Sequence, residues 1–538
     1  MVNITYGVIS TPPQVTTADQ ATFLTSNGTD LITTQADGTI AAFSPGDIAW
    51  VLTCTALVWI MIPGLGYLYS GLVRRKNALS MLLVTLLCTA TMAFQWFFWG
   101  YSLAFSTSSG PVFGSLHFFG LQNVLEQPVA QANNKIPQIT YCLYQLQFAA
   151  LVPAIAIGAA AERGRIAPVA LFVFCWSTVV YCPIARQIWS PMGWAYKAGV
   201  LDYAGGGPVE ICSGTTGLVY SLFLGQRRGF GTPRLAFRPH STSHVVLGTV
   251  FLWVGWLGFN GGSTFAANLK ASLAIFNTNL AGAGGGLIWM LMDYRLEKKL
   301  SVIGFCTGAI SGLVAITPAA GFVGAPASLL IGVIAAAISN MLTSLKAKFK
   351  FDDALDIFAV HAVAGAVGLF LTGLFAQASV AANDGYLQIE GGWLDQNYKQ
   401  LYKQIYWIFV AFGWTAIGTF LVMFVINLIP GMHFRASEDA EIIGMDEDQC
   451  NEFCYDFAYV NRDLEGNYNP EGDSDDSSGT QIDGEGEKTA AGGAAPGTGA
   501  ARSGGEAEES NVSQSAMTGP GHEHDAQKQA WDKERNIV

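Results

Sequence analysis

Apolar residues dominate the chain in runs of about 20 positions, each broken by a short polar or glycine-rich loop. The runs fall at 48 to 73, 78 to 105, 140 to 161, 166 to 188, 203 to 225, 242 to 264, 271 to 293, 300 to 318, 325 to 345, 354 to 376 and 404 to 429. Each is long enough for a helix to cross a hydrocarbon core of about 30 Å. The pattern predicts an all-α polytopic membrane protein with eleven transmembrane helices. The basic residues set its orientation. Arg74, Arg75 and Lys76, then Arg163 and Arg165, Arg227, Arg228, Arg234 and Arg238, Arg295, Lys298 and Lys299, and finally Lys346, Lys348 and Lys350 each follow an odd-numbered span. The other loops carry mostly single bases such as Lys135 and Lys270. Positive charge is retained on the cytoplasmic side, so the N-terminus is expected outside and the C-terminus in the cytosol.

Composition sharpens the division into segments. The chain has 538 residues and only 13% are charged, too few for a soluble protein of this length. The net charge of −12 belongs to the end of the chain, where residues from Gly431 onward hold 24 acids and 7 bases, against 16 and 21 before it. Residues 1–46 are read as an extracellular segment without a cleavable signal peptide. Its sequons at Asn3 and Asn27 are usable for glycosylation only from outside. Residues 47–430 form the transmembrane domain. Residues 431–460 are expected as an ordered cytosolic regulatory segment, with Ile442, Ile443, Phe453, Tyr455 and Phe457 available to dock. Residues 461–538, with almost no large apolar side chain, are expected as a disordered acidic tail. Ser437 and the serines near 474 to 478 are candidate sites for cytosolic kinases or other regulators.

Seven cysteines lie singly within apolar runs, where a thiol packs as a small hydrophobe. Cys450 and Cys454 lack a second ligand pair, so no metal is expected. No nucleophile with a base, phosphate loop or cofactor motif is present, which argues against an enzyme and against a cofactor. Nothing points to nucleic acid, and the expected surroundings are membrane lipid.

Two ionisable residues stand within the apolar runs. In DYAGGGPVEICSGTTGL, Asp202 precedes Glu210 by eight; in DDALDIFAVHAVAG, Asp353 precedes His361 by eight. Superposing Glu210 on His361 aligns Gly214 with Gly365 and Gly217 with Gly368, which marks an inverted internal repeat of two five-helix halves plus a final helix. Eight helical residues rise about 12 Å, so helices entering from opposite sides bring Glu210 and His361 to similar depth, the usual place for a transport path. Glycines at i+4 and i+7 lie on the same face and permit close packing. A charge at membrane depth costs about 2.5 to 3.5 kcal/mol even on lenient scales, which favours function over a register-fixing structural pair. Asp202 and Asp353 also suit capping of helix amides. Tyr144 with Phe148, and Phe259 with Ser263, each share a helix face; rings beside a hydroxyl suit a small cation.

The runs PGLGYLYSGLVRRKN, FQWFFWGYSLAF, AERGR, DYAGGGPVE, GWLGFNGGS, GAISGLVAITPAAGFV and DDALDIFAVHAVAG, in this order over residues 45 to 460, closely resemble the ammonium transporter (Amt/Mep/Rh) family. EDAEIIGMDED is similar to its fungal Mep branch. The resemblance implies a multi-pass plasma-membrane homotrimer with one pore per subunit, carrying ammonium or ammonia. It implies an outer ammonium site of Phe148, Trp189 and Ser263 with Tyr144 nearby, supported by Asp202, and a gate of Phe148 and Phe259. His361 matches the second of the family's paired pore histidines; Glu210 stands where the first is expected, as in certain fungal members. Asp353 and Asp356 match acids at the cytoplasmic pore end. An electroneutral channel of the Rh kind for ammonia or carbon dioxide, and an ammonium sensor signalling through its tail, are the alternatives.

Overall fold

The computed structural model describes residues 31–34 and 40–455, apart from 233, 234 and 236. Asn3 and Asn27, Phe457 and the rest of 456–460, and the acidic tail lie outside the described residues. One small element departs from the all-helical expectation. Leu31–Thr34 and Ile40–Phe43 pair antiparallel, Leu31 opposite Phe43, just before the first long helix.

Among the described residues, eight helices are long and apolar enough to cross a membrane: Pro45–Leu72, Arg75–Phe105, Gln138–Ala160, Ala167–Lys197, Thr242–Thr264, Ala325–Phe349, Phe358–Phe375 and Lys399–Asn427. The remaining expected spans are occupied by different helices. The one expected over 203 to 225 begins with a π-wound turn, Gly206–Ile211, and continues as Cys212–Leu224. Leu269–Glu297 is long but rich in Asn and Gly, and Val302–Ile316 is short.

The chain marks its own helix starts. Ser44, Ser241, Asn268 and Ser301 each accept a first-turn amide hydrogen through the side chain, and prolines occupy the first turn after Ser44 and Gly324. A proline there gives up an amide that has no partner anyway. Helix sides are sorted in the sense expected of lipid. Phe94, Phe409 and Ile417 are exposed, whereas Asn260, Asn277, Thr278, Thr415 and Thr419 are completely buried. Polar residues inside and phenyl rings outside hold together a bundle that water does not press together.

The loops rich in arginine are joined by a buried ion network. Glu162 Oε1 accepts from Arg74 Nε at 3.0 Å and Glu162 Oε2 from Arg227 at 2.9 Å, while Arg227 also binds both oxygens of Asp352 at 2.8 Å. Burial pushes the Glu162 carboxyl up, but the Arg227 and Arg74 guanidiniums outweigh it and hold it below the ordinary range. Asp352 is likewise raised by burial and lowered further by the hydrogen bonds and charge of Arg227. Carboxyls lowered in the folded state add stability above the ordinary carboxylate pKa, and that contribution is lost as pH falls through the folded values. Glu162→Gln takes the counter-charge from the part-exposed Arg74 and one of two from Arg227, and is expected to cost about 3 kcal/mol, the low end for breaking a buried pair. Thermal unfolding of the detergent-solubilised protein measures this, with the deficit against wild type shrinking toward acid pH.

The segment after the last long helix packs on this same face, through polar groups rather than isoleucines. Ile442 and Ile443 are 51% and 43% exposed, which corrects the docking role expected of them. Asp446 instead accepts from the Leu79 and Ser80 amides at 2.9 and 2.8 Å, capping the start of the helix Ala78–Gln95, and the Met445 amide donates to Asn77. Arg435 pairs with Glu441, whose other oxygen accepts from the Arg228 amide. Ser437 caps the short helix Glu438–Ile443. Unpaired amides at a helix start attract a carboxylate more firmly than an exposed apolar patch attracts an isoleucine beside open solvent.

A candidate path lined by aromatics and a histidine

Asp202 organises one end of the path. Its Oδ1 accepts from the Gly205 and Gly206 amides at 3.0 and 2.6 Å, and its Oδ2 from the Gly207 amide at 2.7 Å and Trp407 Nε1 at 3.1 Å. Gly205 takes φ +120, a conformation an L side chain resists, which lets three successive amides wrap one carboxylate. Asp353 performs the corresponding task at the other helix, accepting from the Phe358 amide at 2.7 Å. Its second oxygen is buried without a protein partner. Asp356, nearby, is ion-paired with Lys346 at 2.7 Å.

The eight-residue spacings do not run along regular α-helix. Residues 202–205 and 353–356 are not helical, and Glu210 and His361 each fall inside a π-wound segment, Gly206–Ile211 and Phe358–Val363. The 12 Å descent expected for α-helix therefore does not apply. Wider winding inserts an extra residue per turn and re-aims a side chain, a common feature near functional groups. The two segments nevertheless bring the ionisable pair together, His361 Nδ1 to Glu210 Oε2 at 2.9 Å. The packing is reciprocal. A side chain at Gly214 would collide with Ala362, next to His361, and one at Gly365 with Glu210.

Two cavities lie along the bundle. The larger, of about 140 Å³, is lined by Phe148, Trp189, Asp202, Tyr203 and Ser263 among others. The smaller, of about 30 Å³, is lined by Tyr69, Ile155, Trp256, Ile357 and His361. Phe148 and Phe259 pack ring on ring between them, centroids 4.1 Å apart, with Trp189 set edge-on to Phe148 at 5.8 Å. Phe259 is fully buried and lines neither cavity. His361 lines the smaller cavity, whereas Glu210, completely buried, lines neither cavity and is hydrogen-bonded to the imidazole.

Ser263 and Tyr144 differ in what they offer. The Ser263 hydroxyl donates to the Phe259 carbonyl at 2.8 Å, so its oxygen presents lone pairs to the larger cavity, the polarity a cation with N–H donors requires. Tyr144 is completely buried and off the cavity wall, with its hydroxyl donating to the Phe259 carbonyl at 2.7 Å and lying 3.4 Å from Ser263 Oγ. Tyr141, one helical turn earlier on the same helix, is on that wall instead. Trp407 and Gln404 went unnoticed in the sequence. Gln404 accepts from the Leu201 amide at 2.9 Å and donates to its carbonyl, fixing the chain beside Asp202. Their signal was two polar tips one turn apart in an apolar helix. Among the described residues no group of three or more His, Cys, Asp or Glu stands together.

Residues 49–455 match the model of the Ammonium Transporter Family. The chain is 48% identical over 424 residues to ammonium transporter 2 of Schizosaccharomyces pombe, covering 78% of this chain and 82% of that one. It is 48% identical over 418 residues to ammonium transporter MEP1 of Saccharomyces cerevisiae, covering 77% and 84%. The crystal structure of Saccharomyces cerevisiae Mep2 superposes with a TM-score of 0.70 at 46% identity, covering 74% of this chain and 91% of that one. With the matched region spanning every helix that carries the path, the chain belongs to the ammonium transporter family.

Proposed function

We propose that this membrane protein takes up ammonium through a path specific for the ammonium ion at its mouth and for ammonia at its centre. The observation that carries the reading is the division of the path: a polar, aromatic cavity and a smaller apolar one with two closely packed, tilted phenyl rings between them. In the larger cavity, Phe148 and Trp189 offer ring faces and Ser263 an acceptor oxygen, while Asp202 fixes the surrounding backbone; Tyr144 orients Ser263 from behind. A cation is held there by cation-π attraction and one hydrogen bond.

A charge loses that support on entering an apolar constriction, whereas neutral ammonia loses little. Ammonium therefore yields its proton above the Phe148 and Phe259 pair, and ammonia crosses. Beyond it, His361 meets the ammonia. With Nδ1–H donating to an ionised Glu210, the imidazole presents Nε2 as an acceptor; with a protonated Glu210 donating to Nδ1, Nε2 carries the proton. Taking up a proton at Nε2 turns the first arrangement into the second as the Nδ1 proton passes to Glu210, and releasing it at Nε2 reverses the change, so the pair takes up and returns the proton that ammonium gives up. Asp353 and Asp356 mark the far end of the path.

The arginine loops on one face support the orientation with the N-terminus outside and the C-terminus in the cytosol. Eleven spans, in two inverted halves of five plus a last helix, a homotrimeric assembly and residence in the plasma membrane complete the reading. The docked segment 431–455 places Ser437 where regulators of the cytosolic face can act.

Uptake of labelled methylammonium with simultaneous current recording, in cells lacking their own ammonium permeases, tests the proposal. Saturable uptake with inward current is expected. Uptake without current replaces the relay by an electroneutral channel, and no uptake overturns the reading.

A further inference from the structure

Lys270 looks, in the sequence, like an isolated base in an outer loop. In the structure it is almost completely buried in the wall of the larger cavity, Nζ 2.8 Å from Asp384 Oδ2. The same nitrogen lies 5.8 Å from the ring centre of Tyr203 and 5.4 Å from that of Phe322. Its place in the chain does not serve its helix. It is the second residue of Leu269–Glu297, where a cation opposes the helix dipole. Nor does Asp384 depend on it alone, because Oδ1 accepts from the Tyr386 and Leu387 amides at 3.0 and 2.8 Å and holds its own turn.

A carboxylate oxygen beneath two aromatic rings is a cation site, and the lysine ammonium already fills it. We propose that Lys270 is a tethered ammonium: it occupies a binding site in the vestibule wall that free ammonium would otherwise enter. A free ion there gains a full counter-charge, whereas the Phe148, Trp189 and Ser263 site offers rings and a hydroxyl. Substrate would be held off the path, with greater affinity and slower release. Covalent attachment closes this trap and neutralises Asp384. Lys270 is thus a positioning residue for recruitment, and the inference rests on the larger cavity being the ammonium vestibule.

The experiment compares Lys270→Met with the double variant Lys270→Met, Asp384→Asn, each as the full chain. Lys270→Met is expected to lower the methylammonium KM roughly tenfold, the scale of a close charge pair, and to lower the maximal rate with it. Rubidium becomes an inhibitor, and crystals soaked in rubidium show the ion between Asp384, Tyr203 and Phe322. The double variant loses the rubidium site and returns KM toward wild type. If Lys270→Met raises KM, binds no rubidium in the crystal and is not rescued by Asp384→Asn, the pair only fastens the loop and the proposal is overturned. The diffraction result is independent of transport. Were Ser263→Ala to leave wild-type uptake unchanged while rubidium still fills the Lys270→Met site, the vestibule reading would fail and the tethered cation would stand.

Discussion

Asparagine at position 202 is expected to reduce ammonium uptake by roughly a hundredfold at unchanged surface expression, because an amide has one acceptor oxygen where the carboxylate uses two. Oδ1 and Oδ2 of Asp202 each receive two donors, from Gly205 and Gly206 and from Gly207 and Trp407. Whichever way the asparagine turns, its NH2 group faces two buried donors. Each donor left unsatisfied costs about 1–3 kcal/mol. The turn can relieve that only by opening, which shifts two groups at once. Trp189, whose Nε1 donates to the Asp202 carbonyl at 3.4 Å, leaves the wall of the larger cavity, and the π-wound start that aims Glu210 at His361 loosens. Both the half-saturation constant and the maximal rate should therefore worsen. Near-normal uptake by Asp202→Asn would show that the carboxylate is an ordinary cap with no bearing on transport.

The second large effect concerns charge movement. Glu210→His is expected to remove most of the ammonium-evoked current while labelled substrate still enters, and to alter the pH profile of uptake. The physical difference is the number of protons the pair can carry. A carboxylate facing an imidazole accommodates a net proton as a neutral pair of ions. Two imidazoles sharing one hydrogen bond become net positive on taking a further proton, and at buried depth that charge is costly. Glu210 is buried and lines neither cavity, so the replacement falls outside both linings and separates the proton path from the path of ammonia. Current and pH profile identical to wild type would eliminate Glu210 as a relay.

Much of this is legible in the sequence, for reasons specific to membranes. A hydrocarbon core tolerates no unpaired backbone, so crossing segments announce themselves as long apolar runs, and ionisable residues within them stand out against that background. Glu210 and His361 could be paired by their matching offsets from Asp202 and Asp353 and by glycines at matching positions, because close helix approach leaves a residue-type signature. Tyr144 shows where that reasoning stops. Helical periodicity put it on the same face as Phe148, yet a difference of one turn places Tyr141 on the cavity wall and turns the Tyr144 hydroxyl onto the Phe259 carbonyl.

The order of spans, the family, the aromatic and hydroxyl composition of the path and its paired acid and histidine were determined by the sequence alone, since each depends on local pattern or on long matched runs. Tertiary structure decided what each charge does. Trp407 reaches Asp202 across 205 residues, and Lys270 meets Asp384 across 114, partnerships that no local spacing encodes. It also decided that Glu210 is hydrogen-bonded to His361 and lines neither cavity, because π-winding shifts a side chain's direction without altering the apolar pattern by which a helix is recognised.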